Sequence, residues 1–274
     1  MKGHGTGNDF IVIPDLDGKR DITEEQVRRI CDRHRGLGAN GVLRVVRTEF
    51  MAHMSEQASV AEFFMDYRNA DGSVAEMCGN GARVFSRYLD AVGLVTKDEF
   101  VIATRGGLRE VSLHPDHQVS VGMGAATTPK SGALPVVTVG PHSWTSVGVL
   151  VPNPHAVTFV DSLEDAGTLV EAPGVTPPEV FPDGVNVEFV VAIGPRHVAM
   201  RVHERGVGET MSCGTGACAV AWAARRHFEP QLRGDSTWRV DVPGGTLQVS
   251  ESAQGMLTLT GPADLVARGT VLLD

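Results

Sequence analysis

The chain has no run of lysine and arginine, no long apolar stretch, and only four cysteines in 274 residues. Each shortage excludes something. A net charge of −9 with no basic cluster argues against nucleic acid or an anionic membrane as the main partner. It leaves room for a single arginine to hold a small carboxylate. No segment reaches the roughly 20 apolar residues needed to span a bilayer. The opening Met1-Lys-Gly-His-Gly-Thr-Gly-Asn has no apolar signal-peptide core, so the expected location is the cytoplasm. Cys31, Cys78, Cys213 and Cys218 are too few for a disulfide framework, and Cys213 and Cys218 have no CxxC or HxxxH partner nearby. Free thiols and no metal site are expected.

What is present suits a globular enzyme. The chain is 42% hydrophobic and long enough for one large domain or two ordinary ones. Short β-branched runs such as Phe10–Ile13, Val42–Val46, Val119–Met123, Val187–Ile193 and Thr237–Val242 predict strands, punctuated by Gly, Pro and Asp. Helical signals are fewer. Thr23-Glu24-Glu25, followed by Val27, Ile30 and Cys31, predicts a capped amphipathic helix with Gly36 near its end. The other two clear helices follow Cys78 and Cys213.

Those two cysteines belong to an internal repeat. Met77-Cys-Gly-Asn-Gly-Ala-Arg matches Ser212-Cys-Gly-Thr-Gly-Ala-Cys at an offset of 135 residues. A strand and a turn precede each copy, and a Gly-Gly strand and a further strand follow it. The same order kept twice predicts two similar domains rather than a solenoid, whose period is shorter. The expected domains are 1–128, with 264–274 returning to it, and 129–263. The turn-rich stretch Gly124–Leu134 lies at the boundary, and a last strand-like piece covers Val266–Leu273. Both central helices are weakly charged, so each should be wrapped by its sheet.

A thiol just ahead of a helix sits where unpaired backbone N–H groups and the dipole favour the thiolate. Gly79 and Gly214 leave those amides open to a ligand such as a carboxylate. Were the domains to face each other, the two sulfurs would flank one carbon. One thiolate and one thiol are the pair that inverts a stereocentre, taking a proton from one face and returning one to the other. The helix-end amides would stabilise the carbanion through its carboxylate.

Segments 2–10, 69–88, 151–160, 184–189, 203–219 and 261–269 carry a resemblance to the diaminopimelate epimerases, of actinobacterial type in the Lys-Gly-His-Gly-Thr opening. The resemblance implies an α+β fold of two similar domains, each a mostly antiparallel curled sheet around a central helix, with the active site in the cleft between them. It implies a cofactor-independent homodimer that interconverts LL- and meso-2,6-diaminopimelate for lysine and peptidoglycan precursors. On matching positions, Cys78 and Cys213 become the acid/base pair, with His155 and Glu204 modulating their protonation. Asn8, Asn69, Gly79, Asn80, Asn153, Asn186, Glu204, Arg205, Gly214 and Thr215 become substrate-binding residues. Gly41 stands where some members use a glutamine side chain, and carries no binding role. Cys31 and Cys218 are read as packing residues.

The glycines at 3, 5 and 7 imitate a phosphate loop, but no strand precedes them and no Lys-Ser/Thr follows. Three other readings remain at this level. They are a two-cysteine proline racemase or hydroxyproline epimerase, a non-catalytic amino-acid binding protein, and a thiol redox protein. Glu204-Arg205 favours a substrate with a second charged end over proline.

Overall fold

The computed structural model describes residues 1–52 and 54–272, and the chain divides into two compact units. The first comprises Met1–Val121 together with the chain from Gly261 on. In it, β1 (Lys2–Gly5) and β2 (Asn8–Pro14) form an antiparallel hairpin. The turn residues Thr6 and Gly7 have φ of 50° and 80°, the positive pair that suits the strand twist of a two-residue hairpin. The glycine-rich opening is therefore itself a strand and turn, and it delivers Asn8 as the first residue of β2.

Helix α1 (Glu24–Cys31) starts at a reciprocal capping box between Thr23 and Gln26. It buries Val27, Ile30 and Cys31 in a cluster with Ile11 and Val42. The helix stops at Cys31, well short of Gly36. The chain turns back there so tightly that a Cβ on Gly36 would lie 2.0 Å from the Arg29 carbonyl oxygen, which is why glycine occupies the position. Strand β3 (Gly41–Arg47) runs parallel to β2. A single helical turn, α2 (Ser55–Ala58), precedes β4 (Phe63–Asn69), which is antiparallel to β3. After α3 (Gly79–Ala91) come β5 (Glu99–Ile102), β6 (Arg109–Leu113) and β7 (Gln118–Ala125), paired antiparallel in sequence. A parallel bridge between Phe64 and Ala103 ties β4 to the end of β5.

The second unit, Gly122–Thr260, opens with β8 (Val136–Val139) and β9 (His142–Thr145). Its main sheet begins with the hairpin of β10 (Val147–Val151) and β11 (Asn153–Phe159). A short strand, β12 (Gly174–Thr176), joins β8 and β9 in a separate three-stranded sheet. Then β13 (Asn186–Gly194) runs parallel to β11, and β14 (His197–Glu204) antiparallel to β13. After the two-residue strand β15 (Gly208–Glu209) and helix α4 (Gly214–Phe228) come β16 (Ser236–Val242), β17 (Gly245–Glu251) and β18 (Met256–Pro262). Strand β16 is parallel to β14. The closing strand β19 (Asp264–Ala267) pairs with β1. It is shorter than the expected Val266–Leu273, whose last residue, like 274, lies outside the described residues.

Hairpin, parallel step, antiparallel return, helix and meander thus recur in both units. The repeat extends upstream of the matched cysteine segments to β1 and β10. Gly106-Gly107 and Gly244-Gly245 are the turns into β6 and β17. Each central helix is enclosed by strands of its own unit: α3 by β1, β2, β3, β4, β6 and β19, and α4 by β10, β11, β13, β14, β16 and β17. Val84, Phe85 and Leu89 on α3, and Ala217, Val220 and Ala224 on α4, are fully buried. This accounts for the scarcity of charge on these helices, which meet water mainly at Arg87 and the C-terminal residues of α3 and in the last turn of α4. Among the described residues no helix is long and apolar enough to cross a membrane.

Candidate active site

Cys78 is the N-cap of α3, in extended backbone geometry, and its sulfur accepts from Gly81 N at 3.4 Å. Cysteine thus takes the place usually held by Ser, Thr or Asp, and the cap hydrogen bond favours the thiolate over the thiol. Sγ lies 3.8 Å from Asn8 Oδ1, and Asn80 reaches the same oxygen through Nδ2 at 3.5 Å. Asn8, Cys78, Gly79 and Asn80 therefore gather at one helix end. Behind them stands Arg83, wholly buried, donating from Nη1 to Asn80 Oδ1 at 3.0 Å and from Nη2 to Thr6 Oγ1 at 3.3 Å. Asn69 ends β4 and donates from Nδ2 to Ser73 Oγ at 3.0 Å, so its side chain shapes the turn that leads towards the cysteine.

Cys213 caps α4 in the same way, accepting from Gly216 N at 3.3 Å with Thr215 Oγ1 at 3.4 Å. It is buried where Cys78 is half-buried. Burial first, then the carboxylates of Glu204 and Glu188, push its thiol well above the ordinary value. The Glu204 carboxyl is itself raised, chiefly by burial and further by Glu188, while the Thr210 hydroxyl donating to it pulls the other way. His155 is fully buried and held between two oxygens, with Nδ1 2.6 Å from Glu188 Oε1 and Nε2 3.0 Å from Asn153 Oδ1. Asn186 accepts from Arg205 N at 2.8 Å. The Arg205 side chain is exposed and donates to the Asp183 carbonyl at 2.7 Å.

Asn153, His155, Glu204, Cys213, Gly214 and Thr215 thus lie on β11, β14 and the start of α4, with Asn186 at the start of β13. Two residues that contribute here escaped the sequence reading. Arg83 is a wholly buried charge in α3. Glu188 is the lone charge in Asn186-Val-Glu-Phe-Val190, two residues after Asn186 and therefore on the same strand face. Both signals were readable as charges at inward positions. Among the described residues no group of three or more His, Cys, Asp or Glu side chains is placed to hold a metal ion. A surface hollow beside Thr138, Leu169 and Gly174 contains none of the residues above.

Comparison with known proteins bears on this geometry. The family model described as diaminopimelate epimerase matches residues 1–129 and 147–266. The chain belongs to the diaminopimelate epimerase family. Diaminopimelate epimerase of Streptomyces coelicolor is 52% identical over 272 residues, covering 98% of this chain and 93% of that one. Diaminopimelate epimerase of Thermobifida fusca is 46% identical over 277 residues, covering 100% and 97%. Among solved structures, a phenazine biosynthesis protein of the PhzF family from Bacillus anthracis superposes with a TM-score of 0.69 at 17% identity, over 99% of this chain and 98% of that one. A hydroxyproline epimerase from Agrobacterium vitis gives 0.67 at 15% identity, over 97% and 90%. At such identities the structural likeness establishes the shared α+β fold alone. The 17-residue gap in the family match, 130–146, takes in β8 and β9, so the epimerase family match leaves out these two strands of the small three-stranded sheet.

Proposed function

We propose that this protein interconverts LL- and meso-2,6-diaminopimelate without a cofactor, with Cys78 and Cys213 as the acid/base pair. The observation that carries the reading is the duplicated N-cap: two cysteines, each capping a buried helix through the same i+3 amide, in a chain of this family. A two-base inversion uses two groups on opposite faces of the carbon, one as base and the other as acid. In one direction a thiolate takes the α-proton, the C–H pair is left on carbon, and the other thiol delivers its proton to the opposite face. Sulfur charges exchange and no net proton is consumed. The backbone amides at the start of the two helices, Gly79 and Gly214 first among them, are the donors this reading assigns to the α-carboxylate as negative charge develops on it.

The distal end of the substrate carries an ammonium and a carboxylate. Glu204, Arg205 and the asparagines at 8, 69, 153 and 186 offer an anion, a cation and neutral donors for it. The family resemblance supports two further parts of the reading, a homodimer and a cytoplasmic location. Sedimentation of the purified protein tests the first.

The test of function is proton NMR of the reduced protein with LL-diaminopimelate in D2O, with chiral chromatography of the same sample. Loss of the α-proton signal with appearance of the meso isomer supports the proposal. Exchange seen only with L-proline or trans-4-hydroxy-L-proline, run in parallel, moves the protein to the proline racemase type. Binding without exchange in a folded protein with free thiols leaves a binding protein.

A further inference from the structure

The repeat relates the surroundings of the two thiols position by position. Asn8 and Asn153 each begin the returning strand of a hairpin. Two residues on, Phe10 corresponds to His155, and these pair across the parallel step with Gly41 and Asn186. Two further on, Leu43 corresponds to Glu188. Asn69 and Glu204 end the matching strands β4 and β14. Phe10 and Leu43 pack against Gly81 in the first turn of α3. In the second unit the same layer holds an imidazole and a carboxylate: a Cβ on Gly216 would meet Glu188 Oε1 at 2.8 Å and Cys213 Sγ at 3.3 Å. In the other direction, buried Arg83 on α3 stands where α4 has Cys218. One unit thus carries a cation within its helix, the other two carboxylates against its helix end.

Glu188 is fully buried, and its Oε2 has no hydrogen-bond partner among the described residues. A carboxylate in an apolar strand with only one oxygen satisfied is costly to keep and calls for a reason. We infer that Glu188 is a positioning residue that keeps the proton on the Cys213 sulfur in the resting enzyme, so that Cys78 is poised as base and Cys213 as acid. Acting through Oε1, it also fixes the His155 ring.

The other charged groups near this end of α4 do not reverse the effect. Glu204 on β14 adds negative charge. His155 on β11 is a basic side chain on this face, and its ring is turned to Glu188 and Asn153. His203 is opposite Val187 on the other face of the sheet. Strand β10 has no titratable side chain, Arg239 on β16 bonds Asp241, and Glu251 on β17 pairs with Arg225 and Arg226 in the last turns of α4.

This inference rests on the epimerase reading for the roles of the sulfurs, but its test needs no substrate. The full chain is labelled with [3-13C]cysteine, the four signals are assigned with single Cys→Ser variants, and each is followed against pH. In the wild type the Cys213 signal is expected to titrate at higher pH than the Cys78 signal. Glu188→Gln should move the Cys213 midpoint to lower pH and leave Cys78 in place. Glu188→Asp, which keeps the charge, should stay close to wild type. An unmoved Cys213 midpoint in Glu188→Gln overturns the inference, as does an equal shift in Glu188→Asp, which would mark a packing role. Should Glu188→Gln fail to fold, the wild type decides, and a Cys213 midpoint at or below that of Cys78 overturns it. Failure of the substrate assay alone leaves this titration intact.

Discussion

Arg83 and Asn80, one turn apart on α3, form a hydrogen bond of 3.0 Å between two side chains that water does not reach. The guanidinium is the backing of this helix end. It orients the Asn80 amide, and its Nη2 and Nε reach Thr6 Oγ1 and the Pro262 carbonyl, joining the helix to the β1–β2 turn and to the chain end. Arg83→Met keeps volume but removes the donor to Asn80 Oδ1 and to Thr6 Oγ1. Hydrogen bonds to a charged group contribute about 1.5–3 kcal/mol. The expected outcome is a melting temperature lower by several degrees and a raised KM. An unchanged melt with unchanged KM would show that Asn80 needs no such support.

Asp66 gives the first unit a pH dependence. It is almost fully buried and accepts from Arg44 at 2.8 Å, Arg68 at 3.0 Å and Arg105 at 2.6 Å. Burial pushes its carboxyl up, but the bonds and charges of Arg68 and Arg105 outweigh this and hold it below the ordinary range. A carboxyl lowered in the folded state stabilises fully above its unfolded value of about 3.9, and that contribution fades as pH falls through the folded value. Asp66→Asn should therefore lose roughly 2 kcal/mol at pH 7, less than for a wholly buried pair because the arginines reach water. The difference from wild type should shrink below about pH 4. Denaturant melts at pH 7 and pH 3.5 measure it.

Glu204 works with the opposite sign. Its carboxyl is raised, mainly by burial, so ionising it opposes folding above its unfolded value of about 4.3. Glu204→Gln is expected to melt higher than wild type at pH 8 and equally at pH 4. Turnover of diaminopimelate should fall by at least about tenfold, because the anion for the distal ammonium and for the Cys213 environment is gone. A variant less stable at pH 8 would contradict the assigned burial cost.

Much of this was legible in the sequence, for a local reason. The cysteine repeat, the cap at Thr23 and the weakly charged central helices are signals of neighbouring residues, and all correspond to observed elements. The order of strands around each helix was also readable from the repeat. The parallel pairings of β2 with β3 and of β11 with β13 were not, because they join residues about 30 apart with no turn signal between them. The same holds for the pairing of Glu188 with His155, 33 residues apart. His155 and Glu204 were reached only through family resemblance. Glu188 was missed although its charge interrupts an apolar strand. The end of α1 was overshot because Gly36 belongs to the fold-back after the helix, not to its cap.

The central claim is that two different sulfurs act on one carbon, and the partition of solvent deuterium tests it most directly. LL-diaminopimelate is turned over in D2O and stopped early, and the two isomers are separated and weighed by mass spectrometry. With one thiol as base and the other as acid, the meso product carries deuterium while the remaining LL substrate stays protiated. Deuterium entering both pools at equal rates would mean that a single group removes and returns the proton, and would contradict the account.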